Sequence, residues 1–334
     1  MKAIALISGG LDSTLAVKLM KDLGVELIAL NTVSPFCLCS RKNKDGSCHH
    51  QASKVAQELG VKLLLVDTTN EILEIIKNPK HGYGSNMNPC IDCRILLFKK
   101  AKELMQKEGA SFVFTGEVLG QRPMSQKLRT MMLIEKESGL EGLVLRPLSA
   151  KVLEPTIPEK EGWIERDKLL AINGRSRTEQ FALAKEFGIN DYPCPGGGCL
   201  LADPEYSLRL KDLIRHEGLN APDARLLKIG RHFRLASRLK LVVGRDETEN
   251  NQLGMFKNND DLLFSPYNLA GPSALLRGDI EDNSILEFCA GIVAHYCDKA
   301  TDNTEIICKK NELQEYKFIV APQVEEKVAA YRIN

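Results

Sequence analysis

The sequence lacks any apolar run near the ~20 residues that span a bilayer. Its first apolar run, Ala3-Ile4-Ala5-Leu6-Ile7, gives way to Ser8-Gly9-Gly10 and then to the charge of Asp12. Neither a membrane anchor nor a secretory leader is expected, and the expected compartment is the cytoplasm. The chain also lacks an excess of charge: 45 Lys and Arg face 44 Asp and Glu, a net charge of +1. Any surface for a polyanion must therefore be local. No internal repeat or low-complexity tract is visible. With 43% hydrophobic and 27% charged residues, a disordered or collagen-like chain is excluded. At 334 residues, two domains are the expectation.

Ten cysteines are present. Without a secretory leader they do not read as a disulfide framework, and clustered intracellular cysteines more often bind metal or do chemistry. Three close groups stand out: Cys37, Cys39 and Cys48; Cys90 and Cys93; Cys194 and Cys199. Cys289, Cys297 and Cys308 are scattered and read as buried apolar residues.

Residues 1–7 read as a buried strand that runs into a glycine turn, and Leu15, Val17, Leu19 and Met20 then recur with helical spacing, with Gly24 as the stop signal. Strands are predicted over residues 25–33, 61–66 and 110–114, and helices over 47–59, 92–108 and 178–187. Alternating strands and helices predict an α/β fold with a parallel, Rossmann-like sheet covered on both faces. The ligand site of such a sheet lies beyond the carboxyl ends of its strands. A boundary near residue 200 separates a first domain (1–200) from a smaller α+β domain (201–334). There, residues 239–244, 261–264 and 274–277 read as short strands.

The turn Ser8-Gly9-Gly10-Leu11-Asp12-Ser13-Thr14 joins the first strand to a helix. Its glycines let a backbone approach an anion, and the helix N-terminus adds unpaired N–H groups and partial positive charge. The Gly-Lys-Ser/Thr ending of a Walker A loop is missing. Asp12 would repel phosphate directly, so its natural role is to hold Mg²⁺; the plainer alternative is a glycine turn with Asp12 as a helix cap. Ser8-Gly9-Gly10-Leu11-Asp12-Ser13 resembles the motif of the PP-loop ATP pyrophosphatases. The resemblance implies an adenine nucleotide alpha hydrolase-like sheet that binds ATP and cuts between its α- and β-phosphates.

Asn88-Pro89-Cys90-Ile91-Asp92-Cys93 precedes a helix, a place that lowers thiol pKa. Cys199 follows three consecutive glycines. Three thiolates on a 4Fe–4S cluster leave one iron open, whereas zinc held by three Cys and water is the plainer metal alternative. Structural thiols and a redox pair are further alternatives. Thr115-Gly116-Glu117-Val118-Leu119-Gly120-Gln121, then Ser125-Gln126 and Leu145-Arg146-Pro147-Leu148, resemble the nucleotide-site segments of the tRNA 4-thiouridine synthetases. The Asn-Pro-Cys-x-x-Cys segment is similar to the tRNA 2-thiouridylases and the iron–sulfur thiouridine synthetases. Together these resemblances imply a tRNA uridine sulfurtransferase. Ser8, Gly9, Gly10, Asp12, Ser13, Thr14, Thr32, Thr115, Gly116, Gln121, Ser125 and Gln126 are the implied nucleotide contacts. Asp12, Cys90, Cys93 and Cys199 are the implied catalytic residues. The sequence shows no THUMP-like region before its first strand and no rhodanese domain, which favours sulfur carried on a cluster. Cys37, Cys39, Cys48 and His49 have the residue types of a zinc site but match no standard finger spacing; thiols packed in a loop are the alternative.

Residues 207–240 hold nine Lys or Arg and three Asp or Glu. They read either as charge-rich helices with solvated faces or as a phosphate-binding face. Val243-Gly244-Arg245-Asp246 through Asn250, with Leu269-Ala270-Gly271-Pro272-Ser273, resembles the RNA-binding module of the NFACT ribosome-quality-control proteins. Arg231, Arg234, Arg238, Lys240, Arg245 and Asn250 are the candidate RNA contacts.

The expected reaction is ATP-dependent thiolation of a tRNA uridine. The cofactors are ATP, Mg²⁺ and a 4Fe–4S cluster, with zinc as a further candidate. The sulfur comes from a sulfide or persulfide donor such as a cysteine desulfurase. The alternatives are a PP-loop ligase that adenylates a carboxylate, and a non-enzymatic RNA-binding factor regulated by nucleotide.

Overall fold

The structure is a computed structural model that describes residues 1–37, 50–190, 192, 199–280, 282–311 and 313–333. It divides into two compact units, Met1–Ala202 and Asp203–Asn334.

The first unit runs β1 (Lys2–Leu6), α1 (Leu11–Asp22), β2 (Glu26–Val33), α2 (His50–Glu58), β3 (Lys62–Asp67), α3 (Thr69–Lys77), α4 (Cys90–Glu108), β4 (Phe112–Thr115), α5 (Leu128–Ser138), β5 (Val144–Leu145), α6 (Ile157–Lys160) and α7 (Thr178–Glu186). Its five strands form one parallel sheet in the order β3-β2-β1-β4-β5. Strand β1 is apolar throughout because both of its faces are covered. Ala3, Ala5 and Ile7 join Leu15, Val17 and Met20 in one core. Ile4 and Leu6 join Ile95, Phe98 and Ile134 in the other. Helix α4 ends at Gly109 and α5 at Gly139, both in the left-handed conformation that glycine adopts without strain. The sheet is the Rossmann-like one expected from the strand–helix alternation. The short helices α3 and α5, unforeseen in the sequence, fill its connections.

The chain reverses direction of progress between β1 and β4, the topological switch point where such sheets open a crevice. Leu6 pairs with Thr115 there, so the turns after the two strands lie side by side. A Cβ on Gly116 would press into the carbonyl oxygen of Asp12. A Cβ on Gly9, whose φ is +74°, would meet the backbone nitrogen of Ala52 at 2.7 Å.

The second unit runs α8 (Pro204–His216), α9 (Ala221–Leu226), β6 (Arg231–Ala236), β7 (Leu239–Val243), α10 (Glu247–Phe256), β8 (Leu262–Pro266), β9 (Ala274–Gly278), α11 (Ser284–His295), β10 (Thr304–Lys309), β11 (Glu315–Val320) and α12 (Glu325–Tyr331). Its sheet is antiparallel in the order β11-β10-β8-β9-β7-β6. Helix α11 buries Cys289, Ala290, Ile292 and Val293 in a core with Phe233, Leu241, Phe264, Ile306 and Cys308. This is the smaller α+β domain expected. Residues 207–240 are not helical throughout: two short helices give way to the hairpin β6–β7.

Gly116→Ala, which adds one methyl against a backbone carbonyl, is expected to lower stability by about 1–3 kcal/mol. Urea unfolding compared with the wild type measures it.

Candidate functional site

The turn after β1 is organised by its own hydroxyls. Ser13 Oγ donates to the carbonyl of Gly10 at 2.8 Å, and Thr14 Oγ1 donates to the same oxygen at 3.0 Å. Both residues are buried, while Ser8 is exposed. The Gly10 φ of −82° and ψ of 162° start α1 without a side-chain cap, and Asp12 lies in its first turn. Asp12 is therefore not the helix cap.

The Asp12 carboxylate faces the turn after β4. Gln121 Nε2 donates to Asp12 Oδ2 at 2.7 Å, and Gln121 Oε1 accepts from Gln180 Nε2 at 3.0 Å. Arg177 forms an ion pair with the same Asp12 oxygen at 3.5 Å. Asp12 Oδ1 is buried, and no described residue donates to it. A buried carboxylate oxygen without a donor is the position a cation fills. Gln126 is fully used in shaping the turn: its side chain accepts from Arg122 N at 3.0 Å, and its carbonyl accepts from Gly120 N at 2.7 Å. Ser149 Oγ accepts from Leu119 N at 3.1 Å and donates to the Ile172 carbonyl at 2.6 Å. That bridge, with the bond from Gly174 N to the Leu119 carbonyl, fastens residues 172–174 beside the Gln121 turn. Thr115 ends β4, and Thr32 stands near the end of β2, in register with Val66 of β3.

The thiols reach this region along three separate stretches. Cys90 opens α4, with Pro89 at its cap and Cys93 one turn further. Residues 199–202 are fastened to the segment before α4, where Met87 N donates to the Leu201 carbonyl at 3.0 Å and Asn86 Nδ2 to the Ala202 carbonyl at 2.8 Å. On their other side Leu200 N donates to the Phe36 carbonyl at 3.0 Å. Cys37 and Cys199 thus face each other across an antiparallel bridge. All four thiols are half-buried. The sequence grouped Cys37 with Cys39, Cys48 and His49; the last three, and Cys194, lie outside the described residues, while Cys37 is beside Cys199.

Burial pushes the Cys93 thiol far up from its ordinary pKa, and the charges of Cys199 and Cys90 add to the shift. The Cys199 thiol is pushed up to about 11, chiefly by burial, with Cys90 and Cys37 adding and a backbone bond to Leu201 opposing. The helix N-terminus was expected to lower these values; at Cys93 desolvation outweighs it. Among the described residues, no three His, Cys, Asp or Glu are placed to hold a single metal ion.

Arg122 joins the two halves of the site. Its guanidinium is lowered in pKa by desolvation and by the charges of Arg94 and Arg177, and it interacts electrostatically with both Cys90 and Asp12. One cleft is lined by Cys90, Gln121, Arg122, Ser125, Arg175 and Arg177. Sequence reasoning missed Arg122, Arg175 and Arg177. Their signal was the pair of arginines in Arg175-Ser176-Arg177, directly before α7.

His81 bridges two carboxylates. Its Nδ1 lies 2.8 Å from Asp92 and its Nε2 3.1 Å from Glu137, so it clamps the preceding loop onto α4.

In the second unit, most of the candidate RNA contacts are engaged internally. Arg234 meets Asp212 at 2.6 Å and Glu217 at 2.5 Å. Arg245 pairs with Glu249 along α10. Arg231 donates to the Gly244 carbonyl at 3.2 Å and lies over the Tyr296 ring. Asn250 Oδ1 accepts from Ser273 N at 2.9 Å and so ties α10 to the loop before β9. Lys240 is only 3% exposed, and burial lowers its pKa to about 8. Arg238, with 73% of its side chain exposed, pairs with Asp279 at 3.5 Å on the surface.

Residues 1–153 match the family model of the thiamine biosynthesis protein (ThiI), and residues 230–332 match that of the NFACT protein RNA binding domain. A probable tRNA sulfurtransferase of Methanosarcina mazei is 34% identical over 132 residues, which cover 36% of this chain and 29% of that protein. A tRNA-specific 2-thiouridylase MnmA of Pelobacter propionicus is 30% identical over 122 residues, 35% of this chain and 33% of that protein. The chain thus spans about a third of the length of these curated relatives. A solved 4-thiouridine synthetase–RNA complex with bound ATP overlaps 68% of this chain and 52% of that chain at 21% identity, with a TM-score of 0.39.

In the metal-free protein Cys199 is expected to be mostly protonated at pH 7. Its alkylation by iodoacetamide, followed by mass spectrometry, should accelerate as pH rises toward 11, later than for an exposed cysteine titrating near ~8.5. The depressed Lys240 pKa means that this unit loses stability as pH falls from 10.5 to about 8, a loss fully present at pH 7. Lys240→Met is therefore expected to stabilise it at pH 7 by on the order of 1–3 kcal/mol, read from denaturant midpoints.

Residues 1–153 are thus similar to the ThiI family, and residues 230–332 to the NFACT RNA binding domain.

Proposed function

We propose that this protein thiolates a uridine of tRNA in an ATP-dependent reaction. The observation that carries the reading is one cleft lined by Cys90, Gln121, Arg122 and Arg177, of which Gln121 and Arg177 also hold the Asp12 carboxylate. The ThiI-type domain and the partial likeness to tRNA sulfurtransferases and 2-thiouridylases support the same reading.

The turn Ser8 to Thr14, with Thr32, Thr115, Gly116, Gln121 and Ser125, is the nucleotide cradle, and Gln126 positions it. Asp12 would hold Mg²⁺ through the oxygen that no described residue serves. The uridine carbonyl oxygen attacks the α-phosphorus of ATP. An O–P bond forms, the bond to the bridging oxygen breaks, and pyrophosphate leaves. Arg122 and Arg177 offset the charge that accumulates on the departing phosphates. A sulfur nucleophile then adds to the activated carbon, the C–O bond breaks, and AMP leaves.

Cys90, Cys93 and Cys199 would hold a 4Fe–4S cluster, which when bound supplies an iron able to take sulfide. The residues fit the group in two respects. Cys93 and Cys199 both feel the charge of Cys90, so the three thiols are neighbours. Burial also keeps Cys93 and Cys199 protonated until a cation displaces the proton. Sulfur would reach the site from a sulfide or persulfide donor such as a cysteine desulfurase. Residues 230–332 would hold the tRNA, with Arg238 and Arg245 the exposed candidate contacts, each paired with one acid.

The test is anaerobic incubation of the purified protein with ATP, sulfide and unmodified tRNA, followed by nucleoside mass spectrometry. Thiouridine is expected, and Cys93→Ala or Cys199→Ala should abolish it while ATP binding is retained. Failure of the wild type to form thiouridine, together with pyrophosphate release that depends on small carboxylic acids and ignores tRNA, would overturn the reading in favour of a carboxylate-adenylating ligase.

A further inference from the structure

The register around Cys199 says more than that thiols converge. Cys37 and Cys199 are opposite residues of an antiparallel bridge, and Leu200 N donates to the carbonyl of Phe36. That bond runs from the residue after one partner to the residue before the other. It marks a pair whose members do not hydrogen-bond to each other. Such pairs make the closer approach in an antiparallel ladder, with Cα atoms about 4.5 Å apart and side chains on one face. Disulfides need Cα atoms about 4.4–6.8 Å apart. The charge of Cys37 also acts on Cys199, as it must when the two side chains are neighbours. Both partners are held by their surroundings: Phe36 is only 2% exposed and Leu200 1%.

We propose that Cys37 is the redox partner of Cys199, the two interconverting between a dithiol and an intramolecular disulfide. The oxidant is a low-molecular-weight disulfide such as oxidised glutathione. One protein thiolate attacks it, forming a mixed disulfide and releasing one glutathione thiolate. The second protein thiolate attacks the protein sulfur of that mixed disulfide and releases the other. Two protein thiols lose two protons and two electrons, and oxidised glutathione becomes two thiols. A dithiol reductant reverses the exchange. With the bond formed, Cys199 can neither ligate iron nor carry sulfur. That consequence for turnover rests on the thiolation reading; the bond itself does not.

The full chain, prepared anaerobically and freed of iron by chelation, is incubated with oxidised glutathione and alkylated with N-ethylmaleimide. It is then digested without reduction for mass spectrometry. A linked peptide joining Cys37 to Cys199 is expected. It should vanish after dithiothreitol, be lost in Cys37→Ser and Cys37→Ala, and persist in Cys93→Ser. The oxidised wild type should lose thiolation and regain it with dithiothreitol. Recovery of Cys37 in alkylated form, with Cys199 alkylated or linked to Cys90, Cys93 or another cysteine, would overturn the proposal. A linked Cys37–Cys199 peptide in a protein that makes no thiouridine would uphold the couple and count against the thiolation reading alone.

Discussion

The contact of Gly116 with the carbonyl of Asp12 is the constraint on which the first unit turns. Two parallel strands end in register, and their turns touch through backbone alone, with no side chain between them. That closeness lets a carboxylate on one turn be met by an amide on the other. It also makes a buried line of Asp12, Gln121 and Gln180 possible. Each member has a fixed partner, so the carboxylate cannot swing away to satisfy its remaining oxygen. Among the described residues, the crevice thereby presents an unmet carboxylate oxygen, Asp12 Oδ1, in a region where three arginines supply positive charge.

The thiols pose the opposite problem. Burial and mutual repulsion make ionisation of Cys93 and Cys199 unfavourable, and Arg94 and Arg122 offset only part of that. A site built this way is stable when protonated and becomes chemically capable only once a positive group joins it. The fold tolerates the arrangement because the segments bearing the thiols are fixed by backbone hydrogen bonds, which do not depend on the protonation of sulfur.

The parallel sheet was readable from the sequence because its strands are buried on both faces and so appear as uninterrupted apolar runs, as in Ala3-Ile4-Ala5-Leu6. The glycine turn and the Cys90, Cys93 and Cys199 set were readable for a different reason: few structural roles call for those residues at that spacing. Strand β6 was not, because its Arg231, Arg234 and His232 look like solvent-facing charge; in fact Arg234 is neutralised by two acids on α8 and after it, and His232 is buried. The same misreading made Lys240 a surface candidate. Arg177 went unseen because its importance comes from a contact 165 positions away in sequence, with Asp12. Cys37 was grouped by proximity along the chain, whereas its neighbour in space is set by the pairing of residues 36 and 200.

One buried charge network has a mechanical meaning. Glu117, two residues beyond the end of β4, meets Arg94 at 3.2 Å and Arg146 at 3.2 Å, and Arg146 also meets Glu135. Arg94 follows Cys93 directly. The strand end that shapes the crevice and the helix that presents the sulfurs are thus riveted together by an ion pair with one side wholly inside the protein. A displacement on one side must drag the other or break a desolvated charge contact, so this half of the molecule behaves as a single stiff chassis with no slack between its two chemical stations.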